Sequence, residues 1–349
     1  MLAAAALLAV PAQAAERSVA GGSLLGGSGV VVDRAAPALP SVAASSYVIA
    51  DADTGQVLAA KDPHGRYLPA STLKTLTSVT MIPKLNPDAL VRPTKQTVAV
   101  VPTIVGLSTA RTYRVQDLFR AMLMISANDA ALAVAQAGGG FTRTVAALNA
   151  EAKQLGADDT LAGSPNGLDN DLGLTVKDQH SSAYDLALIF RQGLSIPAFV
   201  KYIGTTKAAF PPKKTLTTHD KLLAGALAYP GMIGGKTGFT TAAGQNFVGA
   251  AHRNGHTIII AQMHSANVFW ADAKKLLDWG FRADGKVTPV GTLVTPAASA
   301  LSRSATSQHV QRTPGSSGGT QADWELIFPV TAAITGAVAL WLYRRRPPS

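Results

Sequence analysis

Two apolar alternating runs, 246–252 and 257–263, meet across Arg253-Asn254-Gly255. An Asn-Gly pair between such runs is the strongest short-range β-hairpin signal, because both turn positions need positive φ. A second hairpin is predicted near the other end, with strands at 46–50 and 56–60 around an Asx/Gly turn at 51–55. Between the hairpins the apolar spacing is helical: 71–82, 112–124 (Val115, Leu118, Phe119, Met122, Leu123), 128–137, 144–155 and 183–192. A closing helix is predicted over 271–279. Strands at both ends of a helical middle can share a sheet only by pairing across long sequence separations. The expected class is therefore α+β, with an antiparallel sheet.

The flanks set the limits of this domain. Residues 15–41 are rich in Gly, Ser, Ala and Pro and read as a flexible linker; 287–323 reads as a second, Pro/Ser/Gly-rich one. About thirty flexible residues give a mean reach of roughly 30 Å. One domain is expected over 42–286. Residues 1–14 end in Ala12-Gln13-Ala14, an A-x-A cleavage pattern after a short apolar run, and read as a secretory signal peptide. Residues 324–343 are long enough, at 1.5 Å per residue, to cross a hydrocarbon core. Trp324, Trp341 and Tyr343 stand at the ends of this run, and Arg344, Arg345 and Arg346 follow at once. The positive-inside rule leaves 344–349 as a cytoplasmic tail, so the domain is expected on the outer face of the cytoplasmic membrane, in the cell envelope.

Composition removes several chemistries. The chain has no cysteine, which excludes disulfides, thiolate metal sites and cysteine nucleophiles. Its net charge of +10 is spread without a run of five or more basic residues, so nucleic acid is not an expected partner. The glutamates are Glu16, Glu151 and Glu325, which leaves few candidates for a carboxylate base.

Three short elements carry chemistry. Ser71-Thr72-Leu73-Lys74 follows Pro69 and Ala70, which places Ser71 at a helix N-terminus with Lys74 one turn on. A neutral amine there can take the serine proton, and the helix end favours a developing anion. Alone, the pattern fits an N-cap serine and a surface lysine equally well. Ser126-Ala127-Asn128 interrupts two helical patterns and should present two polar side chains to a cleft; alone, Ser126 could simply cap the next helix. Lys236-Thr237-Gly238, before Phe239, offers a cation and a hydroxyl suited to a carboxylate, although a lone edge-strand lysine also discourages aggregation.

Together, in this order and 55 and 110 residues apart, the three are specific. The chain resembles the penicillin-interacting serine acyltransferases, which carry an S-x-x-K, S-x-N and K-T-G set. Within them it looks like a D-alanyl-D-alanine carboxypeptidase, a low-molecular-mass penicillin-binding protein of an actinobacterial membrane-anchored type. Ser164-Pro165-Asn166-Gly167-Leu168 and residues 182–187, 234–240 and 276–281 match as well. The resemblance implies a β-lactamase/transpeptidase-like fold: a five-stranded antiparallel sheet flanked by helices, with a helical subdomain and the cleft between. It implies Ser71 as acylated nucleophile, Lys74 as general base and Ser126 as proton relay. Asn128 would position the substrate backbone, and Lys236 and Thr237 would hold its carboxylate beside Gly238. The N–H groups of Ser71 and Phe239 would form an oxyanion hole. The implied partners are a peptidoglycan stem peptide ending in D-Ala-D-Ala, β-lactams as covalent inhibitors, and the membrane through 324–343. No metal or cofactor is implied.

Two departures stand out. Many relatives have histidine after K-T-G where this chain has Phe239, so only a backbone role transfers. Relatives also carry a β-rich C-terminal domain, for which the polar stretch after Phe281 is too short. Alternatives are a transpeptidase or endopeptidase on the same scaffold, and a class A-like β-lactamase. The last needs a glutamate between the second and third motifs, and Glu151, the one there, sits in a helical pattern.

Overall fold

The computed structural model describes residues 19–294, Val268 apart. The predicted leader 1–14 and the apolar run 324–343 lie outside them. The early hairpin forms as β2 (Ser46–Asp51) and β3 (Gln56–Lys61), after a short β1 (Val30–Val32). A 3₁₀ turn, Ala70–Leu73, runs into α1 (Lys74–Met81). Then come β4 (Leu90–Val91), α2 (Lys95–Val98), β5 (Tyr113–Arg114), α3 (Val115–Met124), α4 (Asn128–Ala137) and α5 (Phe141–Leu155). These lead to α6 (Ala183–Leu194), α7 (Pro197–Ile203) and a small hairpin, β6 (Lys207–Phe210) with β7 (Lys214–Thr217). The chain returns to the main sheet as β8 (Met232–Thr240), β9 (Gly244–Arg253) and β10 (His256–Ser265), and closes with α8 (Phe269–Ala283) and β11 (Gly291–Thr292).

The sheet order is β1-β3-β2-β10-β9-β8, with β11 also on β3. The pairing of β2 with β10 joins the two predicted hairpins, Ile49 opposite Ile260. All the registered pairs are antiparallel. Strand alternation splits the core into two faces. Val48 and Ala50 face the cluster built with α1, α3, α4 and α6. Tyr47, Ile49, Ile258 and Ile260 face α8 through Leu276, Leu277 and Trp279. All eight residues of α1 are buried, so this helix runs through the protein interior.

The expected sheet is corrected from five strands to seven. The five central strands, β3-β2-β10-β9-β8, are flanked by β1 and β11, which share the outer edge of β3: Val31 pairs with Ala60, and Gly291 with Val57. Both added strands come from stretches expected to be flexible linker, 15–41 and 287–323. Leu25 and Leu293 are fully buried, and Trp279 donates from Nε1 to the Pro37 carbonyl. Few apolar residues suffice to cap an edge strand when the partner strand is already placed, and a Gly/Ser-rich composition conceals them. The first predicted helix also begins differently. Ala70 has φ of 47°, and the turn stays 3₁₀ as far as Leu73.

Candidate active site

The Ser71 turn is clamped on two sides. A Cβ at Gly167 would lie 1.8 Å from the Ala70 carbonyl oxygen, and one at Gly238 would lie 2.7 Å from that of Pro69 and 3.0 Å from the Ser71 nitrogen. Only glycine permits β8 and the loop after Asn166 to approach this closely. Asn246 of β9 fixes the preceding residue by donating to the Leu68 carbonyl, 3.0 Å, while its Oδ1 accepts from the His264 N–H, 2.8 Å. Ser71 is half-buried and Lys74 fully buried.

Lys74 Nζ lies 2.7 Å from Ser71 Oγ, 2.8 Å from Asn128 Oδ1 and 2.8 Å from the Asn166 carbonyl oxygen. None of these partners is a carboxylate. Burial pushes the Lys74 ammonium well below the ordinary lysine range, the Lys236 charge pushes the same way, and Asp129 opposes them. The geometry suits the neutral amine: two N–H bonds go to the two carbonyl-type acceptors, and the lone pair faces Ser71 Oγ.

Asn128 opens α4. Its Nδ2 donates to the Val101 carbonyl, 3.0 Å, and its N–H to that of Thr103, 2.7 Å. Neighbouring Asp129 accepts from the N–H groups of Val105, Gly106 and Leu107. The pair thereby holds the 101–107 loop against the site. Ser126 is half-buried with φ of 62°. The N-cap position of α4 belongs to Ala127, so Ser126 is not the capping residue. Lys74 is bonded to Asn128 rather than to Ser126.

Lys236, Thr237 and Gly238 lie on β8, the last strand of the sheet, as the edge-strand expectation required. Lys236 is buried, with Nζ 2.7 Å from the Thr237 carbonyl oxygen. Burial lowers its ammonium to about 7, against the pull of Asp220. Thr237 is half-buried, and the Phe239 side chain is 60% exposed, so its ring is not locked into the core. Thr240 Oγ1 donates to Asp169 Oδ2, 2.5 Å, which ties the end of β8 to the loop beyond Leu168.

The structure thus gathers Ser71, Lys74, Asn128 and Gly238 around one turn, with Ser126 next to Asn128 and Lys236 next to Thr237 on the adjoining strand. Several supporting residues escaped the sequence reading of roles. Asn166 contributes a main-chain oxygen, to which side-chain identity gives no clue. Asn246 and Asp129 act through backbone partners distant in sequence. Asp220, buried beside the K-T-G strand, takes the Leu222 and Leu223 N–H groups on Oδ1. Burial raises its carboxyl to about 6. Glu151 lies within α5, next to the buried Ala152.

A family model described as D-alanyl-D-alanine carboxypeptidase matches residues 33–267. The chain is 36% identical over 263 residues to the D-alanyl-D-alanine carboxypeptidase DacB2 of Mycobacterium tuberculosis, covering 73% of this chain and 88% of that one. It is 30% identical to DacD of Salmonella typhimurium, covering 70% of this chain and 64% of that longer protein. The crystal structure of a D-alanyl-D-alanine carboxypeptidase from M. tuberculosis superposes with a TM-score of 0.71 at 36% identity, over 75% of this chain and 99% of that one. Penicillin-binding protein D2 of Listeria monocytogenes, solved in an ampicillin-bound form, gives 0.62 at 25% identity, over 70% and 100%. The fold, the clustered motifs and these matches agree, and the chain belongs to the S11 peptidase family of D-alanyl-D-alanine carboxypeptidases.

Proposed function

We propose that the protein removes the terminal D-alanine from peptidoglycan stem peptides ending in D-Ala-D-Ala, through an ester on Ser71. The observation that carries this is the Lys74 amine, buried among neutral partners 2.7 Å from Ser71 Oγ. Lys74 takes the Ser71 proton as Oγ attacks the carbonyl carbon of the penultimate D-alanine. The oxyanion is received by the N–H groups of Ser71 and Phe239, which Gly238 allows to lie close. The C–N bond then breaks, and the departing D-alanine amine takes a proton through Lys74 and Ser126. Water, deprotonated by the same pair, attacks the ester, and Ser71 Oγ leaves with a proton. Asn128 keeps one N–H of its amide for the substrate backbone, the other being held by Val101. Lys236 and Thr237 take the terminal carboxylate, whose charge favours the protonated form of a lysine that burial lowers to about 7 against the pull of Asp220.

β-Lactams form the same ester, but their leaving group stays tethered and blocks water. A signal peptide at 1–14 would export the domain, and a membrane helix at 324–343 would anchor it on the outer face of the cytoplasmic membrane. Hydrophobicity, interfacial aromatics and the three terminal arginines support that reading.

The test pairs two measurements on full-length protein in detergent. A labelled penicillin should modify Ser71, located by peptide mapping, and Ser71→Ala should take no label. The wild type should release D-alanine from a D-Ala-D-Ala peptide with many turnovers while turning over penicillin slowly. Label on another serine, or rapid penicillin hydrolysis, overturns the reading.

A further inference from the structure

We propose that a basic cleft at the β9–β10 turn binds the headgroup of an anionic phospholipid, giving the domain a second hold on the membrane besides its anchor. The inference rests on the anchor reading above. The cleft encloses about 500 Å³ between that turn and the end of α8, and Arg253, His256, Arg282 and Lys286 line it. The dipole of α8 favours cations near its C-terminus, at Arg282 and Lys286. It does not account for Arg253 and His256, which reach the same cleft from the sheet.

The charge balance favours an anion. Asp284 is the one acid on the lining, and its side chain is 6% exposed with Oδ2 2.8 Å from His256 Nδ1. Nearby Asp278 accepts from the Tyr229 hydroxyl, 2.7 Å, and lies 3.7 Å from the Arg253 guanidinium. That guanidinium rests against two rings, 4.0 Å from the centroid of Phe281 and 5.1 Å from that of Tyr229, which fixes its donor fork in the cleft. Arg282 and Lys286 are exposed and pair with no carboxylate among the described residues.

Place in the fold selects a lipid over a soluble anion. The Ala52 N–H donates to the Thr257 carbonyl and the Leu293 N–H to that of Gly55. The β2–β3 turn, the β9–β10 turn and the departing chain therefore share one end of the sheet. The linker beyond spans roughly 30 Å on average, so a bilayer is within reach of this end. Leu227, two residues before Tyr229, is 38% exposed. An open apolar side chain beside a cluster of cations suits the boundary between headgroups and acyl chains. The catalytic turn packs against Gly238, which pairs with Asn246. From Asn246 to Arg253 β9 covers roughly 23 Å, at about 3.3 Å per residue. A lipid held at the turn leaves the Ser71 cleft clear of the headgroups.

The experiment follows thermal melting of the full-length protein in neutral detergent. It is titrated with dioctanoyl phosphatidylglycerol, dioctanoyl phosphatidylcholine, inorganic phosphate and a soluble polyglycerol phosphate. Phosphatidylglycerol should raise Tm in a saturable way, and the other three should not do so at equal phosphate concentration. The double variant Arg282→Gln, Lys286→Gln should weaken the apparent affinity on the order of 10-fold, with D-alanine release and lipid-free Tm unchanged. High salt should weaken it likewise in the wild type. An equal response to phosphatidylcholine, or undiminished affinity in the double variant, overturns the site. An equal response to inorganic phosphate leaves a plain anion site, and a stronger one to polyglycerol phosphate assigns the cleft to a wall polymer; either overturns the lipid assignment. Carbonate extraction of membranes carrying the protein tests the anchor separately. Release of the protein overturns the anchor reading, whereas retention without any phosphatidylglycerol response overturns the cleft alone.

Discussion

Burial acts on Lys74 and His64 in the same direction, towards loss of the proton, yet the two groups end in opposite states. Lys74 lies among a hydroxyl, an amide oxygen and a main-chain carbonyl, and burial wins. In a second region, where the segments before β1 and after α8 meet, His64 Nδ1 lies 2.8 Å from Asp159 Oδ2 and Nε2 lies 3.1 Å from the Ala20 carbonyl. Both ring nitrogens face acceptors, a pattern only the imidazolium satisfies. Burial pulls His64 down, but the Asp159 and Asp185 carboxylates outweigh it and the net shift is upward. Nearby Asp185 is raised to about 7, chiefly by burial and then by Asp159. The lesson is that partner chemistry decides what burial does. Among neutral acceptors the buried group gives up its proton and becomes a base for catalysis, and a carboxylate locks the proton into the structure.

The contrast breaks most sharply at Lys74. Lys74→Met keeps the buried volume and removes the base, so kcat/KM should fall by about 10²–10⁴. In the wild type the acid limb of the kcat/KM profile should lie far below the ordinary lysine value. A limb near that value would show the amine to be an ordinary charged lysine.

Lys236→Ala comes next. It should lose roughly 2–5 kcal/mol of transition-state binding for a peptide with a free terminal carboxylate. The loss should be much smaller for the corresponding amide, which is already a poor substrate. Equal losses on acid and amide would remove the carboxylate role.

The smallest effect belongs to His64. His64→Gln should cost about 1.5–3 kcal/mol of stability in mildly acidic buffer, the range for hydrogen bonds to charged groups, with kcat unaltered. The pH signs differ between the two regions. His64 holds its proton more tightly folded than unfolded, so its contribution is complete below the ordinary histidine value and is lost as pH rises through its raised folded one. Lys236, lowered to about 7, binds its proton more weakly when folded, so its contribution improves between about 7 and the ordinary lysine value. Thermal melts of wild type, His64→Gln and Lys236→Met across pH 6–10 separate the two. A His64→Gln deficit that does not shrink with rising pH would mean that shape, not charge, holds this region.

The same two regions differ in how much the sequence discloses. The Asn254-Gly255 turn and the alternating runs beside it disclosed β9 and β10, because hairpin information is local. Ser71 and Lys74 were legible because one helical turn fixes their separation. β1 and β11 were not, since Val30–Val32 and Gly291–Thr292 become strands only through β3, whose edge is already in place. The carbonyl of Asn166 was likewise hidden, because any residue supplies one. The hairpin of β6 and β7 also went unread. Its value lies in distant contacts, such as Lys214 donating to the Val105 carbonyl at 2.6 Å.

The clasp at Tyr184 has a consequence for chain order. The Thr292 N–H donates to the Gly21 carbonyl, and Tyr184 donates to the Thr292 carbonyl while accepting from the Val294 N–H. The first and last described segments therefore lie side by side, and the domain is in effect a closed ring interrupted at one point. A short peptide joining the two segments of this clasp would complete the ring, and new ends could be cut at the exposed Asn254-Gly255 turn. Such a circular permutant would retain every contact around Ser71, because the interruption and the catalytic turn sit on different stretches of the same loop.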